Sequence, residues 1–142
     1  MDCFYCENGA KLNELMLHIC DLKVSRVFLV RNQNFPGRCV VQYKDHLTEL
    51  FQLSKEDRDA FGEDVALTAK AIWEIFEPDK INYGIFGDGV PHLHVHIIPK
   101  KKGGYCWGGQ FDMNGQPDYP DEEVLKERAS KIRALIEGGR NG

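Results

Sequence analysis

Three histidines stand at alternate positions in the stretch PHLHVHIIPK, residues 91–100. Side chains of an extended strand alternate between its faces. His92, His94 and His96 therefore share one face, and Leu93, Val95 and Ile97 share the other. Neighbouring rings on such a face stand about 7 Å apart. Buried imidazoles need hydrogen-bond partners, so three in a row do not make a core pattern. A solvated strand face is the bland alternative. Two chemistries fit the pattern. Imidazole is a common zinc ligand and His-x-His a frequent ligand spacing. Alternatively, a neutral imidazole can attack phosphorus and form a phosphoramidate that water clears, while a neighbouring imidazolium protonates the leaving oxygen.

A second constellation opens the chain. Cys3-Phe4-Tyr5-Cys6 is a Cys-x-x-Cys pair, open between a zinc half-site, a redox pair and a chance spacing. A thioredoxin-like pair lies between a strand and a helix inside a βαβ unit, whereas this one lies at the extreme N-terminus. Cys20, Cys39 and Cys106 lack partners at ligand spacing. Cys20 and Cys39 read as small core residues. An odd count of five cysteines argues against a disulfide framework.

The elements that must hold these residues follow from periodicity. Lys11–Cys20 carries Leu12, Leu15, Met16 and Ile19 at helical spacing and predicts a short amphipathic helix. Val24–Val30 and Arg38–Tyr43 read as strands joined by a turn over Asn32–Gly37. Ser54, with Asp57 three residues later, opens a helix whose Phe61, Val65, Ala69, Ile72 and Phe76 share a face; Pro78 marks its end. Ile81–Phe86 is a strand candidate, and Leu93–Ile98 a strand stopped by Pro99. Asp121–Glu137 closes the chain as a helix. This order predicts an α+β domain with an antiparallel sheet.

Composition sets outer bounds. The chain has 142 residues, 42% of them hydrophobic and 28% charged, which suits one domain with a hydrophobic core. A net charge of −4 does not favour nucleic acid. No apolar run spans a bilayer, and the N-terminus does not read as a signal peptide. The expectation is a cytoplasmic chain with no membrane or nucleic-acid partner.

His92-Leu93-His94-Val95-His96-Ile97-Ile98 resembles the signature of the histidine triad (HIT) family, His-φ-His-φ-His-φ-φ with φ apolar, at all seven positions. The chain is similar to HIT proteins of the Hint and Fhit kind from its N-terminal cysteines to about Tyr105. The resemblance implies an α+β, HIT-like fold: an antiparallel sheet with helices packed on it, one domain over residues 1–142, its core at about 3–105 and a C-terminal helix at about 121–137. It implies a nucleotide hydrolase or transferase acting on dinucleoside polyphosphates, nucleoside phosphoramidates or adenylylated compounds. In that family the middle histidine, here His94, is the nucleophile, and His96 contacts the scissile phosphate or the leaving-group oxygen. The resemblance also implies a structural Zn²⁺ held by Cys3, Cys6, His46 and His92, and a homodimer. It implies no redox cofactor. Two other readings stay open: a metallohydrolase using the histidine cluster, and a nucleotide-binding protein without catalysis.

The remaining candidates contact substrate. Gly87, Asp88 and Gly89 precede the triad, where glycine lets backbone N–H groups approach an anion. Here the chain departs from the family, whose longer loop carries Gly-Gln-Ser/Thr. Arg31 or Asn32 matches the polar residue that holds ribose hydroxyls, with Asn32 the candidate. Gly37-Arg38 stands where relatives show Gly-His; Arg38 could grip phosphate bidentately, but is expected in solvent. Trp107, flanked by glycines, could close over a base or cover the core's edge. Lys100-Lys101-Lys102 reads as a solvated charge run.

Overall fold

A computed structural model describes residues 3–141. The chain forms α1 (Phe4–Glu7), α2 (Ala10–Leu15), β1 (Met16–Asp21), β2 (Ser25–Val30), β3 (Cys39–Tyr43), a 3₁₀ turn (Leu50–Gln52), α3 (Lys55–Phe76), β4 (Lys80–Gly84), β5 (His94–Lys100) and α4 (Glu122–Asn141). The five strands make one antiparallel sheet in the order β1-β2-β3-β5-β4. This is the expected α+β architecture.

The sheet is covered on both faces. On one side Leu93, Val95 and Ile97 join Val27, Leu29 and Val41 beneath Phe61 and Ile72 of α3 and Ile132 and Ile136 of α4. On the other, a smaller cluster gathers Cys3, Tyr5, Leu12, Met16, Phe28, Val30 and Val40. The histidines lie on this second side, beside Tyr5 of the small cluster, and are themselves buried.

Local chemistry sets several boundaries. The Ser54 hydroxyl accepts from the Asp57 backbone N–H at 3.1 Å, which caps α3 as its sequence predicts. Gly37 turns the chain into β3 with φ of +95°, in the left-handed region that favours glycine; an added Cβ there would meet the Phe76 ring at 2.6 Å. Gln33 braces the same turn, its amide donating to Val30 O at 2.7 Å while its oxygen accepts from Gly37 N at 2.9 Å.

Three expectations are corrected. The helix expected over Lys11–Cys20 ends at Leu15, and Met16–Asp21 is strand β1, paired with β2. Met16 and Ile19 are both buried because strand residues three apart point to opposite faces of a sheet packed on both sides; helical spacing imitates that pattern. Pro99 does not stop β5, which runs to Lys100. The β3 ladder ends at the Cys39–Ile97 pair, so Pro99 has a ladder neighbour on the β4 side alone, where it faces Ile81. Helix α4 continues through Gly138 and Gly139 to Asn141. Among the described residues, no helix is long and apolar enough to cross a membrane.

Candidate active site

The first half of the site is built by α1. This single turn carries Cys3 at its N-cap and Cys6 one turn on, so both sulfurs face the same way. His46 follows β3, and His92 lies just before β5. The sulfurs of Cys3 and Cys6 and one ring nitrogen each of His46 and His92 lie within 4.8 Å of one another. His92 Nδ1 is 3.5 Å from the Cys3 sulfur and 3.4 Å from that of Cys6, and His46 Nδ1 is 3.2 Å from Cys6. Ligands 2.0–2.3 Å from a tetrahedral zinc stand roughly 3.3–3.8 Å apart, so this donor set fits that ion. The opposite nitrogen of His92 donates to the Tyr43 carbonyl at 2.7 Å, which leaves Nδ1 bare toward the sulfurs.

The second half is the triad strand. In β5, His94 pairs across β3 with Gln42, and His96 with Val40. Their rings are closer than strand spacing alone gives, with centroids 4.9 Å apart in an edge-to-face arrangement. His94 Nδ1 donates to the His92 carbonyl at 2.5 Å. Tyr5, carried between the two cysteines, sets its ring 5.0 Å from that of His94 and 5.6 Å from that of His92. Thus the backbone and side chain of His92 connect the cysteine cluster to the neighbouring imidazole.

Burial sets the protonation of these rings. His94 and His96 are 7% and 8% exposed. Loss of water holds His94 below the ordinary histidine value, with its bond to the His92 carbonyl opposing. His96 falls to about 3, first through burial, then through the His94 ring and the Arg38 guanidinium. Both are therefore neutral near pH 7. His96 Nδ1 is buried and has no partner among the described residues.

The two rings face a cavity of about 400 Å³, lined also by Phe4, Tyr5, Met16, Phe86 to Val90, and Met113. Gly87, Asp88 and Gly89 thus stand with the triad, and Gly87 has φ of +113°. Phe86 folds back to 6.1 Å from the His96 ring because Gly84, opposite His96 in the ladder, has no side chain; a Cβ there would meet Phe86 at 2.5 Å.

Asn32 and Trp107 are not brought to this cavity. The Asn32 side-chain oxygen accepts from Asp118 N at 3.0 Å. Trp107 lines a separate recess with Lys80, Asn82 and Lys100. Two further expectations are corrected. Arg38 is buried, not solvated: the segment around Met113 lies over it, and Nη1 donates to Asn34 Oδ1 and Met113 O, both at 2.9 Å. Lys100 is also buried, donating to Asn82 Oδ1 at 3.0 Å and Gly109 O at 2.6 Å, while Lys101 and Lys102 are exposed. Cys39 is buried as expected, but Cys20 is only half-buried.

Sequence reasoning missed Tyr5, Phe86 and Met113. Tyr5 had only an indirect signal, its place between two cysteines that were already candidates. Met113 had none; its place depends on a loop fold distant in sequence.

The chain matches the family model "HIT domain" over residues 16–103. It is 26% identical over 113 residues to bis(5'-adenosyl)-triphosphatase of Dictyostelium discoideum, covering 75% of this chain and 76% of that protein. A histidine triad protein of Bradyrhizobium japonicum superposes with a TM-score of 0.81 and 26% identity, over 90% of this chain and 96% of that one. A zinc-bound histidine triad family protein of Mycobacterium smegmatis has the same fold, with a TM-score of 0.68 and 21% identity over 99% and 97% of the two chains. With three imidazoles on and just before one strand, two of them facing a cavity, and a domain match spanning all five strands, this chain belongs to the HIT family.

Proposed function

We propose that this protein hydrolyses nucleotide conjugates at the α-phosphate through a covalent nucleotidyl intermediate on His94. The observation that carries the reading is the short bond from His94 Nδ1 to the His92 carbonyl. It fixes the hydrogen on Nδ1 and leaves the Nε2 lone pair free for the cavity. Nε2 attacks the α-phosphorus. The bond to the leaving oxygen or nitrogen breaks, its electron pair departs with that atom, and the atom takes up a proton. Water then attacks the same phosphorus and gives a proton to His96, the P–N electrons return to Nε2, and the nucleoside monophosphate leaves. His96 serves the leaving group. Kept neutral in the empty cavity, it gains proton affinity when an anionic phosphate arrives beside it. The N–H groups of Gly87 and Gly89 suit the phosphate oxygens, and Asp88 between them is exposed and lines the same cavity. The name of the Dictyostelium relative supports a dinucleoside polyphosphate as the substrate.

In this reading Cys3, Cys6, His46 and His92 hold a structural zinc. Four protein donors close the coordination sphere, so the ion takes no part in turnover. His92 turns its free nitrogen to the sulfurs while His94 and His96 face the cavity, and this division favours the nucleophile over a three-histidine metallohydrolase. Asn32 and Trp107 do not line this cavity and have no role in this reading. The protein acts as a homodimer.

The test is turnover of diadenosine triphosphate by wild type and His94→Ala. The variant is expected to lose activity by at least about 10³-fold, as enzymes do on losing a nucleophile, with a nearly unchanged melting temperature. Turnover retained in His94→Ala overturns the assignment.

A further inference from the structure

Arg38 is a buried cation that the mechanism above does not use. It is 6% exposed. Among the described residues, no carboxylate forms an ion pair with it. Its Nη1 is taken by two neutral oxygens, Asn34 Oδ1 and Met113 O. Its Nε is buried with no partner among the described residues. A guanidinium stays charged in any protein environment, and an unpaired buried charge is costly to keep. Burial opposes its charge. The charge invites an anion.

Register gives its place relative to the triad. On β3, Val40 faces His96 and Gln42 faces His94. Arg38 lies two residues before Val40, on the same face, one step past His96 and away from the cysteine cluster. Its neighbours Tyr5, His96 and Met113 line the triad cavity, and Arg38 adjoins that lining through its bond to Met113 O without being part of it. The face therefore runs from the cysteine cluster to His94, His96 and then Arg38.

We propose that Arg38 is a subsite for an anionic leaving group, binding the phosphate one beyond the phosphorus attacked by His94. This rests on the reading of His94 as nucleophile. It narrows the substrate class to conjugates whose departing part is itself a phosphate, in preference to those that release an uncharged amine. The planar fork, with Nε unpaired, suits two oxygens of one phosphate.

The test compares wild type, Arg38→Met and Arg38→Lys on two substrates with the same nucleoside. Diadenosine triphosphate releases a phosphorylated leaving group, and adenosine 5'-phosphoramidate releases ammonia. Loss of a charge-assisted contact is expected to lower the ratio of kcat/KM values, first substrate over second, by roughly 10- to 100-fold in Arg38→Met. In Arg38→Lys, which keeps the charge and loses the fork, the ratio is expected to fall less. An unchanged ratio overturns the proposal, whether both rates fall together or neither falls, because an arginine that only holds the segment around Met113 serves both substrates alike. If Arg38→Met does not fold, as judged by its melting curve, the ratio in Arg38→Lys decides by the same criterion. Titration with pyrophosphate, followed by ³¹P NMR, separates this inference from the hydrolytic one. Binding by wild type that weakens at least about tenfold in the variant supports the subsite even if neither substrate turns over. Absence of pyrophosphate binding by wild type overturns the subsite even if His94 proves to be the nucleophile.

Discussion

In the proposed reaction the role of His94 depends on which ring nitrogen carries the hydrogen, and a backbone carbonyl decides it. No side-chain acid is needed to orient the ring, because the preceding histidine supplies both the acceptor and, through its own ring, a tie to the cysteine cluster. His96 shows the cost of such a site. Its folded-state value of about 3 lies far below the ordinary 6.5. As pH falls through 6.5 the unfolded chain binds a proton that the folded chain refuses until about pH 3. The stability present above pH 6.5 is therefore lost progressively across that window. One such proton gives a slope of about 1.4 kcal/mol per pH unit. Urea unfolding of wild type and His96→Leu between pH 4 and pH 6 should differ in slope by about that amount, wild type being the steeper. Both proteins keep the cysteine–histidine cluster, so the difference isolates His96. Parallel slopes would contradict the buried neutral ring.

At the scale of elements, α1 is the weak link. A helix of four residues has no stability of its own, since nucleation is unfavourable and propagation too short to repay it. A metal joining Cys3 and Cys6 to His46 and His92 would fasten it to β5 and hold the Tyr5 ring against His94. Cys3→Ser is expected to lower the zinc content measured by mass spectrometry and to lower the melting temperature by at least about 5 °C. Full occupancy with an unchanged melting curve would remove Cys3 from the ligand set. Elements also show where local pattern misleads. Met16 and Ile19 suggested a helix because both faces of the sheet are packed, and Pro99 suggested a stop although a proline is tolerated where only one ladder adjoins it. By contrast the cap at Ser54 and the turn at Gly37 were legible, because each is satisfied within a few residues.

For the whole molecule, the sheet ends at β4 on one side, and the chain there exposes Tyr83, Ile85 and Phe86. Aromatic and aliphatic side chains beside an unpaired strand edge are suited to a partner surface. Light scattering on wild type at micromolar concentration should give twice the chain mass, and Tyr83→Glu should halve it. A monomeric wild type would end the dimer assignment. Phe86 lines the triad cavity as well, so the state of this edge bears directly on the site.

The sequence by itself determined the triad face, because a strand's alternation of two requires no knowledge of the rest of the fold. It also singled out the N-terminal Cys-x-x-Cys pair, open between a zinc half-site, a redox pair and chance, and only the structure showed the single turn that aims both sulfurs at His46 and His92. Tertiary structure decided what surrounds them. It buried Arg38 and Lys100, long basic side chains that read as solvated until the segment 105–115 is laid over them. It brought Met113 to His96 and left Asn32 and Trp107 aside. Burial and long-range pairing are set by the packing of segments far apart in the chain, and no local period encodes them.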